Sequence, residues 1–189
     1  MAKGKWAQGI QPRHFRWIIT GKLAICERPG GYGGNHRRVR RQEEIIWIRE
    51  NRFSFVVSLI PSDHNLHSYD ELGMPWKHWP FSPSIDTDIA LTQIYTELAR
   101  LLGEGRTLLL HLDEINDRLA GLMGGYLRWS GMVKTATEAI IITERLLVRQ
   151  LGPTGRELIA VAEEIAINPI TLPPHPAEEA TEESDQVAQ

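Results

Sequence analysis

The amino-acid sequence predicts an α/β fold, a sheet with helices on its faces, and two observations carry that reading. Short β-branched, aromatic or leucine-rich runs, such as FSFVVSLIP (53–61) and RTLLLH (106–111), alternate with longer stretches of helical periodicity. The last of these runs is followed by a cluster of helical segments, and that order of elements belongs to an α/β sheet. With 189 residues, 42% hydrophobic and 24% charged, the chain has ordinary globular composition and can bury one core of useful size.

Taken in order, FRWIITGKLAIC (15–26) reads as two short strands around a Thr-Gly turn. ERPGGYGGN (27–35), with its glycines and a proline, can only be loop. Residues 36–51, HRRVRRQEEIIWIREN, place Val39, Ile45, Ile46 and Trp47 along one helical face, with Asn35 as the expected N-cap. FSFVVSLIP is a strand apolar enough to be central, and SDHNLHSYDELG (62–73) a short helix. MPWKHWPF (74–81) is a strand with prolines near both ends, which suits an edge.

IDTDIALTQIYTELARLLGEG (85–105) repeats apolar residues at 91, 94, 98, 101 and 102 and stops at glycine, as a helix does. RTLLLH supplies the next strand. Residues 118–130 form a Gly- and Ala-rich helix that should pack closely on its neighbours. TATEAIIITERLLVRQLG (135–152) and TGRELIAVAEEIAI (154–167) give two more helices, each opening with a capping residue. This divides the chain into an N-terminal extension (1–10), an α/β domain (11–167) and a disordered tail (168–189), proline-rich and then acidic.

Composition excludes several classes. A single cysteine, Cys26, permits neither an internal disulfide framework nor a multi-cysteine zinc site, and at the end of an apolar run it reads as core. No secretory leader or membrane-spanning run is visible, so a cytoplasmic protein is expected. Charge is uneven. Residues 1–52 carry 12 Lys and Arg against 4 acids, whereas residues 168–189 carry 5 acids and no Lys or Arg. The basic portion is sharpest at Arg37, Arg38, Arg40 and Arg41, where Arg40 and Glu44 stand i, i+4 and should pair.

The chemistry-bearing stretch is TLLLHLDEINDRLAG (107–121), a strand, a short loop and a helix. Such a turn aims backbone N–H groups and a positive helix end at whatever sits in the loop. Here the sequence resembles the cysteine-dependent protein tyrosine phosphatases, and among them the small dual-specificity branch. Their signature is His-Cys, five residues, then Arg. His111 and Arg118 match its ends, with Asp113, Glu114, Ile115, Asn116 and Asp117 as the five. QPRHFRWIITGKLAICERPG (11–30) is similar to the family's opening segment and FSFVVSLIPSDHN (53–65) to the strand and turn supporting its site. KHWPFSPSID (77–86) stands where the family carries its general-acid loop. The likeness spans roughly residues 11–165 and implies a central mixed, largely parallel sheet of about four to five strands flanked by helices.

The departures set the functional expectation. Leu112 holds the nucleophile position, and leucine has no group that attacks phosphorus. Pro83 falls near the general-acid position and cannot donate a proton. Asp86 and Asp88 beside it suit the first turn of the next helix. The loop has no glycine to admit an oxyanion. It holds three carboxylates, each repelling an anion at 4 Å by about 1 kcal/mol in water and about 4 kcal/mol at an effective dielectric of 20. Arg118 is expected to be occupied by one of them, and His111 to orient the loop through a hydrogen bond to its backbone.

The resulting expectation is an inactive, pseudophosphatase-like binding or regulatory module. It needs no cofactor, and its protein partner engages residues 28–41 or the acidic tail. Two alternatives stand beside it. One is a divergent phosphoester hydrolase using Asp113, Glu114 and Asp117 as base or cation ligands. The other is a polyanion or nucleic-acid binder through the 36–41 basic cluster. The His64/His67 pair lacks a third metal ligand and reads as a solvated turn. Nothing in the sequence speaks to oligomeric state.

Overall fold

The computed structural model describes residues 8–83 and 87–169. Residues 1–7, the Asp86 position and the stretch 170–189, which holds most of the expected tail, lie outside the described residues. The elements run β1 (Arg16–Ile19), β2 (Leu23–Glu27), α1 (Arg38–Glu50), β3 (Phe55–Ser58), α2 (His67–Glu71) and β4 (Trp76–His78). They continue with α3 (Thr87–Gly103), β5 (Leu108–Leu112), α4 (Asp117–Trp129), α5 (Ala136–Leu147) and α6 (Pro153–Ile167).

The five strands form one mixed sheet in the order β1-β2-β5-β3-β4. The β1–β2 hairpin is antiparallel, and β2, β5, β3 and β4 run parallel. Every residue of β5 is buried, as expected of a parallel strand covered on both faces. Its register places Cys26 beside His111 and Glu27 beside Leu112 on one flank, and Ser58 beside His111 on the other. The proline-flanked strand β4 lies at the edge. Cys26 is fully buried core, and burial pushes its thiol pKa well up.

Helix α1 departs from the reading of its sequence in two ways. It begins at Arg38 with Arg37 as N-cap, not at Asn35, because Gly33–Asn35 close a 3₁₀ turn whose Gly33 carbonyl accepts from His36 N–H. Its buried stripe is Arg41, Glu44, Ile45 and Ile48, a regular i, i+3, i+4, i+7 set, whereas Val39 is 71% exposed. Two charged residues therefore occupy positions that hydropathy assigns to apolar ones. Arg40 and Glu44 do pair, at 2.8 Å. Ile10, the last residue of the N-terminal extension, packs on this helix by donating its N–H to the Glu43 carbonyl at 3.1 Å.

Helices α4 and α6 cross at glycines. A Cβ on Gly121 would lie 2.6 Å from Gly155 Cα and 2.8 Å from its carbonyl oxygen, so the two backbones meet with no room for a methyl group. Tyr95 of α3 closes this layer by donating its hydroxyl to the Leu122 carbonyl at 2.9 Å. Among the described residues no helix is long and apolar enough to cross a membrane.

Because backbone cannot yield as a side-chain tip can, Gly121→Ala should cost about 1–3 kcal/mol of overpacking strain. A lowered urea midpoint with an unchanged slope is the expected result. An unaltered midpoint would mean that the helices are free to separate.

Candidate functional site

Strand β5 delivers its last residues, His111 and Leu112, to the carboxyl edge of the parallel sheet, where open α/β sheets place ligands. The loop 113–116 leads into α4, whose N-cap is Asn116. The Asn116 side chain accepts from Leu119 N–H at 2.9 Å, and Asn116 N–H donates to the Glu114 carbonyl at 2.9 Å. Two donors at this helix entrance are thus satisfied from within the loop.

Leu112 is 6% exposed and belongs to the core. The strand therefore ends in packed hydrocarbon where the resemblance places a nucleophile. His111, 1% exposed, shares a hydrogen bond between its Nε2 and the Tyr69 hydroxyl of α2 at 3.0 Å. Its other nitrogen, Nδ1, makes no hydrogen bond of good geometry, although the Leu112 backbone beside it raises the ring's pKa against the effect of burial. Leu59 N–H instead holds this point of the strand by donating to the His111 carbonyl at 3.0 Å. Burial first, and the Arg28 charge second, pull the His111 pKa down to about 3.

The three loop carboxylates point to three different partners. Asp113 accepts from Arg28 Nη1 at 3.1 Å, and the same guanidinium donates through Nη2 to the His64 carbonyl at 2.7 Å. Glu114 is exposed and accepts from the Tyr32 hydroxyl at 3.3 Å, and its charge pushes the Tyr32 phenol pKa up. Asp117 turns away to α6. Its two oxygens accept from Gly152 N–H at 2.7 Å and Gly155 N–H at 2.6 Å, capping a helix whose own N-cap glycine has no side chain. The capping residue expected inside the α6 segment is therefore supplied from 35 residues upstream. Among the described residues no group of three or more His, Cys, Asp or Glu side chains is placed to hold a metal ion.

Arg118 departs from expectation as well. It pairs with none of Asp113, Glu114 and Asp117. Its Nη2 donates to the Ser82 carbonyl at 2.7 Å and its Nε to the Phe81 carbonyl at 3.3 Å, while the guanidinium lies 4.0 Å from the Phe81 ring centroid. The arginine thereby ties the start of α4 to the segment after β4. Pro83, in that segment, is exposed. Phe81 is buried, and its N–H donates to the Leu59 carbonyl. Asp88 lies exposed in the first turn of α3, as its sequence position implied.

Ile115 is half-buried, and its carbonyl accepts from Arg149 Nη1 at 2.6 Å. Beside it, Glu114, Arg149, His14 and Glu27 line an open cleft, with His14 and Glu27 in contact at 2.8 Å. Sequence reasoning passed over Arg28, Tyr32, Phe81 and Arg149, which hold the loop from three separate segments. Only Arg28, a cation next to a glycine-rich turn after a strand, offered any local cue. Of the basic candidates, Arg37 and Arg38 are exposed, Arg40 is bound to Glu44, and Arg41 is buried. His64 and His67 are both exposed, and His67 stands 3.9 Å from Glu71.

No protein-family model matches the chain, and no curated protein matches it significantly. Solved structures do. A kinase associated phosphatase with its catalytic cysteine replaced by serine superposes with a TM-score of 0.70 at 16% identity, covering 85% of this chain and 99% of that one. Tk-PTP in its active form gives 0.63 at 18% identity, over 80% of this chain and 97% of that one. The catalytic core of the PP-IP phosphatase SIW14 from S. cerevisiae, in complex with citrate, gives 0.59 at 15%, over 85% and 95%. The fold is thus that of the cysteine-based tyrosine and dual-specificity phosphatases.

The buried state of His111 has a measurable consequence. A folded-state pKa near 3 against an unfolded value of 6.5 means that the unfolded chain takes up the proton first. The stability held by neutral His111 is complete above pH 6.5 and drains away as pH falls toward 3. His111→Gln should therefore flatten the acid limb of the stability curve across that window, by up to a few kcal/mol at its foot. Parallel acid limbs for the two proteins would show that folding does not depress the His111 pKa.

Proposed function

We propose that this chain is a catalytically inactive binding or regulatory module built on the dual-specificity phosphatase fold. The observation that carries the reading is Leu112, packed into the core at the position where a thiolate would attack. Three further observations support it. The residue near the general-acid position is Pro83, Arg118 is engaged by main-chain carbonyls, and each loop carboxylate has a partner of its own. A hydrolase relying on those carboxylates or on a bound cation would need them to converge, and they diverge.

The partner is a protein, met through the segment 28–41, which combines a glycine-rich loop with exposed Tyr32, Arg37, Arg38 and Val39. The acidic tail is a second surface in this proposal. A cytoplasmic setting is part of the same reading, supported by a lone buried cysteine that forms no disulfide.

The purified chain should not hydrolyse a generic aryl phosphate, with or without magnesium. Leu112→Cys alone should leave it inert, because a thiol would face a glycine-free loop and an arginine turned toward Phe81 and Ser82. Turnover that Arg118→Ala abolishes would overturn the proposal.

A further inference from the structure

Helix α1 buries a guanidinium with nothing to hold. Arg41 is 8% exposed, and its Nε and Nη1 have no hydrogen-bond partner. The carboxylate nearest along the same buried stripe, Glu44, is already committed, accepting from Arg40 Nε at 2.8 Å and from Gly30 N–H at 2.7 Å. No ion pair joins Arg41 to a carboxylate among the described residues. Glu71 acts on it only from beyond ion-pair distance, and burying so weakly compensated a charge is costly, since buried polar groups are otherwise almost always satisfied.

Arg41 is not the only such group. His36 Nε2 and Arg40 Nη2 are buried nitrogens without partners in the same turn of chain. The loop around them is drawn tight. Gly30, at φ +85°, sits where a Cβ would come within 2.5 Å of Arg41 Cβ, and the Gly30 carbonyl accepts from Arg37 N–H at 2.8 Å. Arg28 leads into this loop. The cations also act on one another. Burial first, and then the charges of Arg41, Arg28, His64 and Arg37, lower the His36 pKa, while burial and Arg28 lower that of Arg41. The result is several desolvated, unpartnered nitrogens and an excess of positive charge on one short stretch of chain, beside the degenerate loop rather than within it.

We propose that Arg41 and His36 form an oxyanion site that takes a phosphate group, with Arg28, whose Nη1 and Nη2 are already held by Asp113 and the His64 carbonyl, adding positive charge beside it. A guanidinium edge is suited to bind two oxygens of a tetrahedral dianion, and the His36 imidazole, in its Nε2–H tautomer, supplies a further donor. The phosphate comes either from a phosphorylated side chain of the partner or from a free phosphomonoester. The inference deepens the reading of the chain as a binding module and gives segment 28–41 its ligand class.

The test is a titration of the full chain with inorganic phosphate at constant ionic strength, with chloride as control. It is followed by ¹⁵N NMR at the Arg41 Nε–Hε group and at the amides of Gly30, Gly31 and residues 36–41. Saturable shifts confined to these groups are expected. Arg41→Met should weaken binding at least about tenfold, and Arg118→Met should leave it unchanged. The wild-type titration reads the site even where the Arg41 variant fails to fold. A phosphoserine peptide in a second arm identifies the source. Binding of both ligands indicates a phosphorylated partner, and binding of inorganic phosphate alone a free anion. Absence of response to both, or a response no stronger than to chloride, would overturn the site and assign the buried donors to water. Phosphatase turnover dependent on Arg118 would end the inactive-module reading while leaving this site standing, so the two fail separately.

Discussion

The Asp117 carboxylate, bound to the N–H groups of Gly152 and Gly155, is the contact on which the geometry of the site depends. It joins the first turn of α4 to the first turn of α6 just beyond the point where Gly121 and Gly155 press backbone to backbone. With that corner fixed, the loop 113–116 has little freedom left. Its N-cap side chain closes on Leu119, and the adjacent Arg118 projects toward the Phe81 and Ser82 carbonyls. The helix entrance that would receive an anion is stitched to α6 on one side and to the β4–α3 connection on the other. Charged hydrogen bonds of this kind are among the stronger ones a protein makes. The loop is therefore held by contacts that serve the fold, and Leu112 completes it by ending β5 in hydrocarbon.

Electrostatics divide the region into two unlike halves. Along the loop, negative charge is dispersed to Arg28, Tyr32 and the α6 amides, so no concentrated field remains to gather a cation or to expel an anion. Around the start of α1, positive charge accumulates and is only partly answered, since Glu44 serves Arg40 and Gly30 and Arg41 has only Glu71 acting on it from beyond ion-pair distance. Arg28 touches both halves, bonding Asp113 on one side and lowering the Arg41 pKa on the other. Tyr69 links them again, through its hydrogen bond to His111. Unsatisfied buried donors thus lie on the flank of α1, whereas Arg118 at the entrance of α4 is held by main-chain carbonyls.

Much of the fold was legible in the sequence because its strands and most of its helices follow simple periodicity. The apolar positions of α3, the Thr-Gly hairpin and the proline-bounded edge strand are local statements, and the sheet realises each of them. The stripe of α1 was not legible, because hydropathy scores Arg41 and Glu44 as surface residues while their spacing puts them on the buried face. The cap of α6 and the partners of Arg118 were hidden for another reason. Asp117 acts across 35 residues and Arg118 reaches back 36 to Ser82, and neither distance leaves a trace in local pattern. A loop read as self-paired proved to be paired with everything around it.

The most direct test of this account is a crystal structure of the chain grown or soaked with vanadate, an analogue of a phosphoryl-transfer transition state. The account predicts that Arg118 remains on the Phe81 and Ser82 carbonyls, Asp117 remains on α6, and no vanadate lies within the curve of residues 112–118. Vanadate seated in that curve, with the Arg118 guanidinium swung onto its oxygens, would contradict it.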